Sequence, residues 1–175
     1  SDTLAFLNSG YAGRLATVGA DGYPYCVPLL YVCMDGEVYV HNTAARGHLR
    51  ANVEHQAKVC FEIDAAGEVF DYGRFERDSA LAYRSVIVFG NIRIADDRHV
   101  KQRFCDELMK KYGKADTGRP KGFYPRLDRI AVYLQQNRDS LANAAHELRT
   151  PLAAIRSSIE VCLNEDRSRD DYQDL

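Results

Sequence analysis

Short apolar runs, several of them alternating with polar residues, occupy most of the first 135 residues, a pattern typical of β-strands. Residues between the runs favour turns, such as Asp21-Gly22, Asp35-Gly36 and the stretch 65–68. The predicted strands are 14–18, 25–32, 37–41, 59–63, 83–94 and 128–134. A meander of this kind indicates a mainly β protein, a small antiparallel β-barrel with α additions, and not a βαβ nucleotide-binding fold.

Three helices are predicted among these strands. The first covers residues 3–10 and ends at Gly10. The second covers residues 46–53, where two apolar side chains four residues apart share a face. The third begins at the Asp96-Asp97 pair, which is suited to cap it, and continues to about Tyr112.

The character of the chain changes after Gln135. Apolar residues recur at three- and four-residue steps, which predicts an amphipathic helix over 137–163 with a narrow apolar stripe. A second helix is expected to begin near Tyr172. The sequence therefore predicts two domains, a barrel over 1–135 and a helical segment over 136–175.

Composition narrows the possible partners and the compartment. The hydrophobic content of 46% is that of a globular protein, and a net charge of −2 gives no electrostatic reason to expect nucleic acid or an anionic membrane as a partner. No apolar run approaches the roughly 20 residues of a membrane span, and the first residues lack signal-peptide features. The 5 cysteines show no CxxC spacing. We expect reduced structural thiols, no metal site and a cytoplasmic location.

Candidate chemistry is concentrated where the predicted strand 37–41 ends. The polar residues there are His41, Asn42, Thr43, Arg46, Gly47 and His48. Hydroxyl, amide, guanidinium and imidazole groups next to a glycine are suited to hold an anionic cofactor at the mouth of a barrel. The alternative is a strand-end histidine followed by a solvated loop. No Ser/His/Asp or Cys/His arrangement indicates a catalytic nucleophile.

Five segments within residues 13–134 resemble the pyridoxamine 5′-phosphate oxidase-like split barrels, especially the branch with the nitroimidazole-resistance proteins. They are Gly13-Arg-Leu-Ala-Thr-Val18, Gly22-Tyr-Pro-Tyr-Cys-Val-Pro-Leu29, Tyr39-Val-His41, Val59-Cys-Phe-Glu62 and Tyr83-Arg-Ser-Val-Ile-Val-Phe-Gly90. The resemblance implies a homodimer that binds FMN at the subunit interface.

The resemblance also implies roles for individual residues. The flavin ring would rest against Val27, Pro28 and Leu29, and its phosphate would lie near the loop after His41. The implied cofactor-binding residues are therefore Val27, Pro28, Leu29, His41, Asn42, Thr43, Arg46, Gly47 and His48, with His41 as the candidate catalytic residue. Where the family usually has a basic pair after the loop glycine, this chain has His48 and Leu49. Arg46 and Arg50 flank that position and could supply the charge.

Residues 137–175 resemble the dimerisation and phosphoacceptor segment of sensor histidine kinases. The motif is His146-Glu-Leu-Arg-Thr-Pro-Leu152. The resemblance implies that His146 is the phosphoacceptor and Glu147 its acid/base neighbour. It further implies partners that act through His146, namely a kinase catalytic domain and a response regulator. We expect no autonomous kinase activity from residues 1–175.

Three functions are compatible with these features. The first is an FMN-dependent oxidoreductase that acts on a small aromatic or nitro-bearing substrate. The second is a flavin- or ligand-binding sensory domain that passes its state to the kinase-like segment. The third is a dimerising barrel whose pocket is empty or holds another cofactor, such as haem or deazaflavin. Because the barrel and the kinase hairpin would both be two-fold dimers, one axis could serve both.

Overall fold

A computed structural model describes residues 2–113, 118 and 120–137. Its helices are α1 (Asp2–Ser9), α2 (His48–His55) and α3 (Arg98–Tyr112), with one 3₁₀ turn at Leu127–Arg129. Its strands are β1 (Gly13–Val18), β2 (Pro24–Leu29), β3 (Tyr31–Met34), β4 (Glu37–Thr43), β5 (Lys58–Asp71), β6 (Ser79–Ala95) and β7 (Ile130–Asn137). None of the described helices is long and apolar enough to cross a membrane.

The seven strands form one sheet in the order β2-β1-β5-β6-β7-β4-β3. β2 and β3 are its two edges, yet only Leu30 separates them in the chain. Because consecutive Cα atoms are about 3.8 Å apart, the two edges must approach each other where the chain crosses Leu30. The sheet therefore curls in the manner of a barrel, as the sequence predicts.

The sequence prediction of one strand over 25–32 is wrong. Two strands occupy this run, and they lie at opposite edges of the sheet. The run is apolar throughout and contains no glycine or polar turn residue that would mark the break at Leu30. Periodicity alone could not locate the point where the chain changes edges.

The described residues fall into two compact units, one with residues up to Asp64 and the described residues from Val86 to Asn137, the other with Ala65–Ser85. In the first unit, one hydrophobic cluster includes Phe61 and Tyr133, and a second includes Phe104 of α3. β4 contributes to both, since Val40 belongs to the first cluster and Tyr39 to the second. This alternation follows from the two-residue period of a strand.

The capping prediction for α3 is confirmed. The Asp97 carboxylate accepts a hydrogen bond from the backbone N–H of Val100 at 2.9 Å. This contact satisfies one of the four N–H groups that a helix start leaves without an intrahelical partner. Phe104, one turn further on, is fully buried and anchors the helix to the second cluster.

The second unit comprises the outer parts of β5 and β6. The predicted turn at 65–68 is wrong, because β5 continues to Asp71. Gly67 lies so near Ala82 that an added Cβ would be 3.0 Å from the Ala82 carbonyl oxygen. The glycine here permits close strand contact rather than a reversal. The reversal comes later, where the Asp78 carboxylate accepts the N–H groups of Arg74 and Phe75.

Candidate functional site

The start of α2 presents backbone N–H groups to the surface. Gly47 is the N-cap residue, its conformation is extended, and no side chain caps the helix. The first intrahelical bond joins the N–H of Ala51 to the Gly47 carbonyl at 3.0 Å. The N–H groups of His48, Leu49 and Arg50 have no partner within the helix and point out along its axis. The helix dipole favours an anion at this end.

Two arginines flank this helix start and share one carboxylate. Arg46 Nε lies 3.0 Å from Glu54 Oε2, and Arg50 Nε lies 2.9 Å from Glu54 Oε1. Arg50 also donates to the Ala44 carbonyl at 3.0 Å, which ties the loop to the helix. Hydrogen bonds from Arg50 and Arg46 lower the pKa of Glu54. Two cations against one anion leave this corner with a net positive charge.

The end of β4 delivers the remaining polar loop residues to the same corner. Asn42 and Thr43 are exposed, and the Asn42 side-chain oxygen accepts the Thr43 N–H at 2.7 Å. The next residue, Ala44, donates its N–H to the Arg129 carbonyl at 2.9 Å, so the loop is fixed against the segment before β7. Thr43 is therefore exposed to solvent at a point where hydrogen bonds hold the loop in place.

His48 stacks on Tyr25 of β2, with ring centroids 5.6 Å apart and an interplanar angle of 28°. The pair lies beside an open depression of about 450 Å³. Its lining consists of Gly19, Ala20, Asp21, Tyr23, Pro24, Tyr25, His48 and Asn52. Asn52 is buried and donates to the Thr17 hydroxyl at 3.0 Å, which fixes the helix against β1.

The strand expected to support a flavin ring is the edge strand β2. Its register places Val27 opposite Leu15 and Pro28 opposite Arg14 of β1. Val27 and Leu29 are half-buried, and Pro28 is exposed. Because side chains alternate along a strand, Val27 and Leu29 share the face of Tyr25, and Pro28 lies on the opposite face.

His41 occupies a different environment from His48. Its ring lies 5.3 Å from that of Phe104, on the α3 side of β4. Its Nδ1 is buried and has no hydrogen-bond partner among the described residues, and burial lowers the pKa of the imidazole. α2 packs instead into the first cluster through Leu49. The structure therefore brings Thr43, Arg46, Gly47 and His48 to one helix start and directs the His41 ring towards α3.

Sequence reasoning did not identify three residues of this site: Tyr25, Glu54 and Asn52. Their contacts join residues far apart in the chain, such as Tyr25 with His48, so no local spacing indicates them. The one local signal was the four-residue step from Arg50 to Glu54, which is typical of a helical ion pair. His146 lies outside the described residues.

Comparisons with known proteins agree with this architecture. Residues 1–133 match the family model described as pyridoxamine 5′-phosphate oxidase, and the chain belongs to this family. Residues 136–175 match the model of the His Kinase A phospho-acceptor domain. Both resemblances expected from the sequence are thereby confirmed. No curated protein matches the sequence.

Solved structures share the fold at low sequence identity. A candidate 5-nitroimidazole antibiotic resistance protein from Bacteroides thetaiotaomicron is 15% identical, with a TM-score of 0.65 over 79% of each chain. The flavocytochrome Anf3 from Azotobacter vinelandii is 21% identical, with a TM-score of 0.68 over 85% of this chain and 66% of the other. A FAD-binding protein from Mesorhizobium loti is 20% identical, with a TM-score of 0.53 over 79% and 87%.

Proposed function

We propose that this protein is an FMN-binding oxidoreductase that acts on a small aromatic or nitro-bearing substrate. The observation that carries the proposal is the start of α2, an uncapped helix terminus beside Arg46 and His48 in a chain of this family. Flavin-binding neighbours in the same fold support the choice of cofactor class. The choice of FMN over FAD comes from the short loop and the lack of a dinucleotide glycine fingerprint.

The residues present fit a phosphate group. The backbone N–H groups of the first turn would donate to its oxygens, and the Thr43 hydroxyl would add one side-chain donor. Arg46, whose side chain is 71% exposed, can turn from Glu54 towards an anion at the helix start. His48 stands where the family resemblance implies a basic residue, and its imidazole would complete the donor set.

Val27, Pro28 and Leu29 would form the apolar support of the flavin ring. His41 is the candidate catalytic residue, and burial lowers its pKa, which favours the neutral form of the imidazole. A neutral imidazole can donate one hydrogen bond and accept another, which suits a group that orients a polar substrate. FMN supplies the transfer of electrons or hydride when it is bound, and the protein supplies orientation and polarity.

A homodimer is part of the proposal. Ile87 and Phe89 of β6 point outward from the sheet and are 46% and 56% exposed. α3 covers the outer face of β4 and β7, whereas no described helix contacts Ile87 or Phe89 in either hydrophobic cluster. Adjacent exposed apolar side chains of this size are typical of an interface. A second copy of the chain is the expected cover, as the family resemblance implies.

Anaerobic reoxidation tests the oxidoreductase proposal. Protein loaded with FMN and chemically reduced should be reoxidised by a nitroaromatic compound faster than free reduced FMN is, with matching loss of the nitro group. A rate equal to that of free FMN would contradict catalysis by the protein. Loss of the rate enhancement in His41→Ala, with FMN still bound, would assign the enhancement to that residue.

A second function is favoured by the kinase-like match that begins at residue 136. Asn137 is fixed to the β3–β4 turn by a 2.8 Å bond from its N–H to Glu37 and a 2.9 Å bond from its amide to Gly36. The last described residue of β7 is thus tied to the barrel by hydrogen bonds close to where the kinase-like match begins, which suits a sensory domain. A kinase catalytic domain added in trans should then label His146, and His146→Gln should abolish the label. Equal labelling with oxidised, reduced and no flavin would argue against sensing.

A further inference from the structure

The turn between β3 and β4 is held from two sides. Asp35 and Gly36 have φ angles of +53° and +80°, the conformation of a tight two-residue hairpin turn. The Asp35 carboxylate accepts Nη2 of Arg103 in α3, at 2.9 Å to Oδ2 and 3.2 Å to Oδ1. The Gly36 carbonyl accepts the side-chain amide of Asn137 at 2.9 Å. Because the turn is so short, α3 and the end of β7 are connected through one stiff element.

α3 connects this turn to the His41 ring. Phe104 follows Arg103 in the helix and is fully buried, and its ring centroid lies 5.3 Å from that of His41. Consecutive residues of a helix point about 100° apart, so one turn of α3 can place Phe104 in the core and Arg103 at the surface. A displacement of the His41 ring would therefore move the part of α3 that holds Asp35.

Both ends of this series of contacts have a buried polar atom without a partner. Neither His41 Nδ1 nor Asn137 Oδ1 has a hydrogen bond to any described residue. Such atoms are costly, so an arrangement that supplies a partner would be favoured. Between them lies the Arg103–Asp35 ion pair, whose side chains are 45% and 62% exposed. Because exposed pairs contribute little to stability, this contact can open at small cost.

We propose that the β3–β4 turn, held by the Arg103–Asp35 ion pair, is a latch that couples the His41 ring to Asn137. With the latch closed, Arg103 holds the turn and the turn holds Asn137, next to where the kinase-like match begins. When His41 Nδ1 gains a partner, the ring turns against Phe104, the ion pair opens and Asn137 is released. The inference rests on the sensory form of the proposed function, for which it supplies the regulation.

Hydrogen exchange at the Asn137 amide of the full chain measures the state of the latch, because this N–H is donated to the Glu37 carboxylate at 2.8 Å. In flavin-free protein, Arg103→Gln should speed this exchange by up to about fivefold, the range of an exposed ion pair. Lys110→Gln is the matched control, because it breaks an exposed pair that lies within α3. Equal exchange at Asn137 in the two variants would overturn the inference, whether or not flavin binds.

A double-mutant cycle tests the connection to His41, again without flavin. His41→Ala removes the ring that contacts Phe104 and should also change exchange at Asn137. The change should be absent when Arg103→Gln is already present, because both substitutions act through the same contact. β7 offers another route, since His41 pairs with Val132 in the strand that ends at Asn137. Additive effects of the two substitutions would assign the coupling to β7 and overturn the latch.

Added FMN tests whether cofactor binding operates the latch. Saturating FMN should change exchange at Asn137 in the wild-type protein by a similar factor, and the change should be lost in Arg103→Gln with FMN still bound. FMN that binds without an effect at Asn137, or with an equal effect in Arg103→Gln, would overturn the inference and leave the flavin proposal intact. If FMN does not bind, the proposed function fails, and the two flavin-free comparisons decide the latch by themselves.

Discussion

Arg46 is held by Glu54 across the start of α2, with 3.0 Å between Nε and Oε2. The same carboxylate also takes Arg50, so both cations that could serve an anionic cofactor are shared with one glutamate. Glu54, a residue of α2, thus partly neutralises the positive charge of the two arginines.

Removal of this carboxylate should strengthen flavin binding. In Glu54→Gln both guanidinium groups lose their ionic partner, and the Arg46 side chain can reach a phosphate at the helix start. We expect FMN affinity to rise several-fold at low salt and the gain to shrink at high salt, because exposed charges are screened. Flavin fluorescence quenching measures the affinity. Glu107→Gln on α3, which breaks the exposed pair with Lys110, is the control and should change nothing.

Substitution of His41 should affect the flavin, whereas substitution of His99 should not. His41 ends the buried part of β4, and His99 is exposed near the start of α3. Loss of one hydrogen bond to a bound cofactor corresponds to about 0.5–1.5 kcal/mol, which is a several-fold change in affinity. Occupancy, spectra and reduction rates of His41→Ala and His99→Ala give the comparison. Identical values in both variants would make His41 a packing residue.

Because the His41 imidazole is partly buried, we expect the free energy of unfolding to depend on pH. Burial lowers its pKa in the folded state below the ordinary value of 6.5. Well above pH 6.5 the imidazole of His41 is neutral in both the folded and the unfolded protein, so its protonation does not reduce the free energy of unfolding. As the pH falls below 6.5, the unfolded chain takes up a proton that the folded chain resists, so the stability declines.

Urea unfolding at about pH 7.5 and about pH 5.5 measures this decline. The wild-type protein should lose more stability between the two values than His41→Gln, which has no titrating ring at this position. The matched control is His99→Gln, whose loss should equal that of the wild type. If His41→Gln lost as much free energy of unfolding between the two pH values as the wild type, the pH dependence would not come from His41.

If Ile87 and Phe89 of β6 form the dimer interface, a charged residue placed there should prevent dimerisation. Phe89→Asp should convert the dimer to a monomer, because the new carboxylate would be desolvated without a partner. Sedimentation should show twice the chain mass of 19.7 kDa for the wild type and the chain mass for the variant. Phe123→Asp, at a residue that is 72% exposed outside β6, should remain dimeric. A monomeric wild type would contradict the interface.

The sequence predicted the fold class because most strands carry their own signals. Residues 14–18 follow a glycine-containing turn and alternate as half-buried strands do. Residues 128–134 predicted β7, which begins at Ile130 and is buried on both faces over residues 131–135. The split at Leu30 and the continuation of β5 through Gly67 were missed, because tertiary pairing decides them and local chemistry does not.

The sequence could predict only those residues of the candidate site that follow one another in the chain. The loop from Asn42 to His48 could be identified because its polar residues are consecutive. The contacts of Tyr25 with His48 and of Arg46 with Glu54 depend on how β2 and α2 pack. The direction of the His41 ring likewise depends on where α3 lies, which no spacing encodes.

Identification of the bound cofactor tests the central claim most directly. Purified protein should be yellow, with absorbance in the 450 nm region, about one flavin per chain. Heat release followed by chromatography should yield FMN. Recovery of FAD would contradict the choice of the mononucleotide. Well-folded protein that yields haem or no flavin, and that fails to bind added FMN, would contradict the account as a whole.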